Sequence, residues 1–142
     1  MLLLRRTLLE LTGRDLLDGL DPADPAASVF HAPYALLSHD AADDPVFTYG
    51  NAAALVAFER TWDEFTAMPS RLSAEPMARE ERDRLLARVA ADGYIDDYTG
   101  VRVSSTGRRF LIVDALVWDL RDQDGVRVGQ AALIDTTRDL DD

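Results

Sequence analysis

The hydrophobic positions change their period along the chain, and each change predicts a different element. Leu4, Leu8 and Leu11 recur at i, i+4 and i+7, which places them on one face of a short helix ended by Gly13. Residues 14–20 predict another turn or two. Asp21-Pro22, an N-cap aspartate with proline at the first helical position, predicts a short helix reaching Phe30. Residues 34–37 read as a strand, residues 38–45 as a polar turn, and Val46, Phe47 and Tyr49 as a second strand. Asn51 then caps a helix to about Glu59, whose small Ala52, Ala53 and Ala54 let it approach a sheet closely. Residues 60–73, with Trp62, Phe65, Met68 and Pro69, read as one helical turn and a loop. A longer helix follows, capped by Ser73 or Glu75, with Pro76 in its first turn and Gly93 past its end. Met77, Leu85, Leu86 and Val89 form its apolar stripe.

Three strands close the pattern, over residues 94–104, 109–120 and 126–134, with turns at Ser105-Thr106-Gly107 and Gln123-Asp124-Gly125. Strict alternation puts Phe110, Ile112, Leu116 and Trp118 on one face of the middle strand. It puts Leu111, Val113, Ala115 and Val117 on the other. A strand apolar on both faces is covered twice, so either the N-terminal leucines or a second copy of the chain must lie on its outer face. Residues 136–142 read as a frayed acidic tail. The expected fold class is α+β: a five-stranded antiparallel sheet with short helices on one face, one long helix, and N-terminal helices. The expected division is an N-terminal helical segment over 1–30, a core over 31–135 and the tail over 136–142.

Composition narrows the function classes. The length of 142 residues suits one domain with a real core. A net charge of −11 argues against a nucleic-acid surface, which needs basic residues to displace counterions. The arginine-rich long helix does not reverse this, because Arg79, Arg82, Arg84 and Arg88 interleave with Glu80, Glu81 and Asp83 as on a solvated face. No apolar run is long enough to span a bilayer. Arg5 and Arg6 follow the opening leucines, the wrong side for a signal peptide, so the expected location is cytoplasmic. The chain has no cysteine, which excludes thiolate nucleophiles, thiolate metal sites and a flavin–cysteine photoadduct.

The candidate chemistry is a cavity rather than a catalytic motif. Phe47, Tyr49, Trp62, Phe65, Phe110 and Trp118 are the large groups expected to face the core, either as a plain core or as the lining of a ligand site. Asn51 and Gln130 are the polar groups able to orient a ligand, though Asn51 equally serves as a helix cap and Gln130 could bond a neighbouring strand. His31 and His39 lack a third ligand at any recognised metal spacing. Asp40, Asp43 and Asp44 lack the spacing of a calcium loop and read as a solvated turn. Asp96, Asp97 and Asp114 are the carboxylates that burial could turn into a base. The run Ser104-Ser105-Thr106-Gly107-Arg108-Arg109 could cradle an anion or simply turn a hairpin. No P-loop, dinucleotide fingerprint or nucleophile elbow occurs.

DPVFTYGNAAAL resembles the second strand and first core helix of PAS domains. More specifically, HAPYALLSHD, DPVFTYGN, TWDEFTAMPSRLSAEP, GYIDDYTGVRVSSTGRRF, ALVWDL and GQAA resemble the MEKHLA domain, a PAS-related module, in its stand-alone bacterial form. The match covers roughly residues 31–133. Thr61-Trp62-Asp63-Glu64-Phe65 departs from ordinary PAS chains, which carry a Gly-aromatic and an acidic pair there. The resemblance implies a sensory or interaction domain that binds a small molecule or a protein partner, with dimerisation through the N-terminal helix and outer sheet face, and no reaction. It names no cofactor. The competing expectation is a small cavity enzyme, an isomerase or cyclase using Asp114 or Asp97 as base beneath Trp118.

Overall fold

A single antiparallel sheet separates two layers of apolar side chains in the computed structural model, which describes residues 1–74 and 79–140. The expected cap and first turn at Glu75, Pro76 and Met77 lie outside the described residues. Helix α1 (Leu2–Thr12) ends at Gly13, whose φ of 78° lets its N–H reach the Leu9 carbonyl. The next helix, α2 (Pro25–Phe30), starts three residues later than expected. Asp24 caps it by accepting from the Ala27 N–H, while Asp21 accepts from Ala23 in a local turn. Both Asp-Pro pairs carry the same local signal, so sequence alone could not rank them. Residues 14–20 form turns without a helix.

The core elements follow in the expected order. They are β1 (Ala35–Asp40), β2 (Phe47–Gly50), α3 (Ala52–Phe58), α4 (Trp62–Phe65), one 3₁₀ turn at Ser70–Ser73 and α5 (Arg79–Asp92). The last four elements are β3 (Tyr94–Val103), β4 (Arg109–Arg121), β5 (Arg127–Ile134) and β6 (Thr136–Asp139). Helix α4 is only four residues long and is held by a capping box. Thr61 Oγ1 accepts from the Glu64 N–H, and the Glu64 carboxylate accepts from the Thr61 N–H. The stripe on α5 is narrower than expected: Val89 is buried and Leu85 half-buried, but Leu86 is exposed.

Strand order is β2-β1-β5-β4-β3, with β6 also pairing β4, so the sheet has six strands rather than five. Residues 136–139 are not a frayed tail. They pair with β4 from Val113↔Thr136 to Phe110↔Asp139, continuing the register that β5 sets at Leu116↔Leu133. All four side chains of β6 are exposed, so no hydrophobic alternation announced a strand that is held by backbone pairing with β4 and by the ion pair of Asp139 with Arg108.

A second departure rearranges the core. Between Tyr98↔Ala115 and Gly100↔Ile112, Val113 and Asp114 together stand opposite Thr99. This is a β-bulge, with Asp114 at φ 51° and its N–H donating to Thr99 Oγ1 at 3.1 Å. The extra residue flips the side-chain alternation of β4. Phe110 and Ile112 therefore join Ala115 and Val117 on the inner face, while Leu116, Trp118 and Leu120 face outward. The expected grouping of Phe110 and Ile112 with Trp118 does not hold.

The outer face at Trp118 is covered by the chain itself. Leu4 and Leu8 of α1, with Leu16 and Leu17, bury against Leu36, Leu116, Trp118, Leu120 and Leu133. Thr7 reads as polar on this face but is buried, because its hydroxyl accepts from Trp118 Nε1 at 3.0 Å and donates to the Leu3 carbonyl at 2.8 Å.

Candidate ligand cavity

The inner face carries an aromatic core and, beside it, a partly open recess. Phe47 and Phe65 stack with centroids 4.1 Å apart, and Phe58 joins both of them to Phe110 at 5.3 Å. These rings fill the space under α3 and α4. Nearer the 3₁₀ turn and α5, a cavity of about 100 Å³ remains against the sheet. Its walls are apolar over Leu37, Phe47, Leu85, Ile112, Val117 and Ala132. Its polar lining comes from His39, Ser70, Ser73, Tyr98, Arg102 and Gln130.

Each polar group is placed by its strand. His39 sits two residues after Leu37 on β1 and pairs with Gln130 of β5. At the adjacent pair, a Cβ on Gly129 would lie 2.2 Å from the His39 carbonyl oxygen, so only glycine lets the two strands approach this closely. His39 Nδ1 is 2.7 Å from the Asp40 carbonyl, which can only accept, so Nδ1 carries the hydrogen and Nε2 keeps a lone pair. Burial pushes the His39 pKa down, opposed by that bond and helped by nearby Arg127. Gln130 Nε2 points toward the Asp119 carboxylate at 3.5 Å, and Asp119 is itself held by Arg127 Nε at 3.0 Å.

Arg102 is fixed by backbone pairing to Ala74, which brings the end of the 3₁₀ turn onto β3. Its guanidinium lies over the Tyr98 ring at 5.7 Å and donates a long 3.5 Å bond to the Tyr98 hydroxyl. Among the described residues it has no carboxylate partner. It is the one permanently charged side chain in the lining.

The eight residues singled out from sequence fall in five places. Phe47 and Gln130 line the cavity, and Phe65 and Phe110 lie in the aromatic core beside it. Tyr49 and Trp62 meet edge to face at 5.6 Å in a separate cluster with Phe30, and Trp62 is 40% exposed. Trp118 is on the far side of the sheet, carried there by the bulge at Asp114. Asn51 is 0% exposed and fully engaged. Its Oδ1 accepts from Leu36 and Ala54, and its Nδ2 donates to the Val29 and Tyr34 carbonyls. Nothing on its side chain is left for a ligand.

Tyr98, Arg102, Ser70 and Ser73 carry no sequence signal of a site, and His39 stands out only as a histidine without a metal-binding set. The usable signal was the length of β1: had the strand been carried to Asp40, His39 would have followed Leu37 onto the inner face.

Two other candidates resolve differently. The anion cradle at residues 104–108 exists, and the anion is the chain's own Glu59. Its carboxylate accepts from Thr106 at 2.8 Å, Arg108 Nε at 3.0 Å and Ser104 at 3.3 Å. These bonds hold its pKa below the usual carboxylate range. Asp114 is exposed on the bulge, and Asp97 is exposed in a solvent-open groove, paired with Arg88 at 2.7 Å. Neither lies beneath Trp118, so the cavity-enzyme alternative is not favoured. Among the described residues no cluster of three metal-ligating side chains occurs, and no helix is long and apolar enough to cross a membrane.

With this geometry in place, comparison with known proteins decides the family. The sequence profile of the MEKHLA domain matches residues 1–138. The chain belongs to the MEKHLA domain family. No curated protein matches it. Solved structures place this MEKHLA domain in the PAS/LOV fold. It is similar to a PAS domain from Colwellia psychrerythraea, with a TM-score of 0.64 and 15% identity over 84% of this chain and 98% of that one. It is also similar to the LOV domain of a blue-light activated histidine kinase from Erythrobacter litoralis, with a TM-score of 0.58 and 18% identity over 78% and 98%. A third similar structure is the light-state dimer of the fungal blue-light photoreceptor Vivid, with a TM-score of 0.56 and 15% identity over 80% of each chain.

A flavin does not fit the residues present. The cavity, about 100 Å³, is smaller than the roughly 150 Å³ that holds one benzene, and the adjoining space is filled by Phe47, Phe58, Phe65 and Phe110. A haem fails on the same volume.

Proposed function

We propose that this MEKHLA domain is a sensory module that binds a small molecule in the cavity between the sheet, the 3₁₀ turn and α5, without catalysis. The observation that carries this reading is the composition of the lining. A concave, mostly apolar recess with a few convergent polar groups is the usual form of a ligand site, and here His39, Arg102 and Gln130 converge on it. The PAS and LOV relatives in fold, among them a blue-light activated histidine kinase, support a sensory role. Phe47 and Gln130 are the ligand contacts retained from the sequence, joined by His39 and Arg102.

The test is calorimetry with a library of small fragments against the native chain and an Ala132→Leu variant that fills the cavity. At least one fragment is expected to bind the native chain and to lose affinity tenfold or more in the variant. The reading falls if no fragment binds at millimolar concentration, or if binding ignores the substitution.

The same reading includes a homodimer through α1 and the outer sheet face. Support comes from Leu111 and Val113 of β4 and Val101 and Val103 of β3, which are half-buried and belong to neither core cluster, and from the dimeric Vivid structure. Light scattering that returns 15.7 kDa at high concentration would refute it. A cytoplasmic setting completes the reading, supported by the absence of cysteine.

A further inference from the structure

Arg102, which lines the cavity, stands apart from other arginines of the fold in having no carboxylate partner among the described residues. Arg5, Arg71, Arg88, Arg108 and Arg127 each pair with a carboxylate. Arg102 instead spends its guanidinium on a ring face and one long bond to Tyr98. A guanidinium presents a planar fork of donors matched to a carboxylate, and this fork borders the recess with no carboxylate bonded to it among the described residues.

We propose that the cavity takes a short-chain monocarboxylate, its carboxylate on Arg102 and its aliphatic part against the apolar walls. The proposal rests on the cavity reading above and names the ligand class for it.

Three observations select this class. The first is size. An engineered cavity of about 150 Å³ holds the six carbons of benzene, so by proportion about 100 Å³ takes roughly four heavy atoms, which limits the ligand to the size of a short aliphatic acid. The second is polarity. Leu37, Phe47, Leu85, Ile112, Val117 and Ala132 make the larger part of the wall apolar, which suits an alkyl chain better than the additional charged oxygens of phosphate or a dicarboxylate. The third is local charge. Asp119, the nearest buried acid, is occupied by Arg127 and Arg121. Asp40 turns its carboxylate to the N–H groups of Ala42 and Val46. The net charge of −11 is carried mostly at the surface, where physiological salt screens exposed charges beyond about 8 Å.

The test is calorimetric titration of the full chain with propionate, butyrate, propionamide and inorganic phosphate. Propionate and butyrate are expected to bind, with propionamide and phosphate at least 30-fold weaker. Arg102→Gln is expected to weaken propionate tenfold or more, and Arg102→Lys less, with the melting temperature of the ligand-free protein unchanged. Should Arg102→Gln not fold, the comparison of propionate with propionamide in the native chain carries the test. Equal affinity for propionamide and propionate, or an unchanged affinity in Arg102→Gln, overturns the proposal. A neutral fragment blocked by Ala132→Leu would leave the cavity reading standing while the carboxylate falls. Propionate binding that ignores Ala132→Leu would remove the acid from the cavity and overturn the proposal outright.

Discussion

At the scale of single residues, the firmest knot in the domain is Asn51, where one side chain ties four backbone groups. Through Leu36 it holds β1, through Ala54 it starts α3, and through Val29 and Tyr34 it anchors the chain leaving α2. At 0% exposure none of these groups can turn to water instead. Asn51→Ala is expected to cost about 3–5 kcal/mol, since each buried group left unpaired costs about 1–3 kcal/mol and some relax. Urea denaturation followed by circular dichroism checks it; a loss of less than about 1 kcal/mol, the ordinary value of a lone N-cap, would mean the knot is not what holds these elements. Asn51→Asp keeps both acceptor bonds but turns an oxygen onto two carbonyls, so it should also destabilise at neutral pH. The contrast between the two variants separates the capping half of the knot from the donor half.

At the scale of elements, the bulge on β4 decides which side chains belong to which core. Asp114→Gly removes the cost of a left-handed backbone at a non-glycine residue and is expected to leave stability unchanged or raise it by about 0.5 kcal/mol. Deleting Asp114 should restore plain alternation and swing Phe110 and Ile112 toward the Trp118 face, leaving Phe58 without its partner. That variant is expected to lose cooperative unfolding. A deletion mutant with a native-like melting curve would show that the strand can absorb the slip. This bulge also marks the limit of what the sequence disclosed. Long periodic elements such as α1 and β4 were legible because apolar residues repeat at the period of the element, and Gly13 and Asn51 were legible because their caps are local. Asp114 carries no local signal, since its left-handed φ answers to pairing with Thr99 on another strand. Strand β6 was hidden for the opposite reason: its side chains are all exposed, and it is held by the backbone of β4 and by one surface ion pair, Asp139 with Arg108. The cavity suffered from both effects. Arg102 and His39 reach it only through the facing of β3 and the full length of β1.

At the scale of the whole molecule, the two half-cores and the cavity meet in how stability depends on pH. His39 is pushed below its ordinary value of 6.5 by burial, so the unfolded chain binds the extra proton first as pH falls. Its contribution is therefore present above the unfolded value and lost as pH falls through the folded one. Glu59, Asp15 and Glu64 are depressed by hydrogen bonds, from Thr106 and Arg108, from Arg5 and from the Thr61 N–H respectively. Their contributions are lost further down, as pH falls below the ordinary carboxylate range. On the alkaline side Tyr34, whose hydroxyl donates to the Leu16 carbonyl under the N-terminal segment, is pushed up to about 12 by burial. Its contribution is present below the unfolded value of 10.0 and is lost as pH rises toward 12. The expected profile is a plateau from about pH 7 to 10, with an early acid slope owed to His39 and a later one owed to the carboxylates. His39→Gln should flatten the curve in the interval just below the ordinary histidine value of 6.5 while leaving the steeper fall at lower pH in place. Parallel curves for the native chain and His39→Gln across that interval would show that the histidine is not buried as its strand places it, and with it would go the polar lining on which the cavity depends.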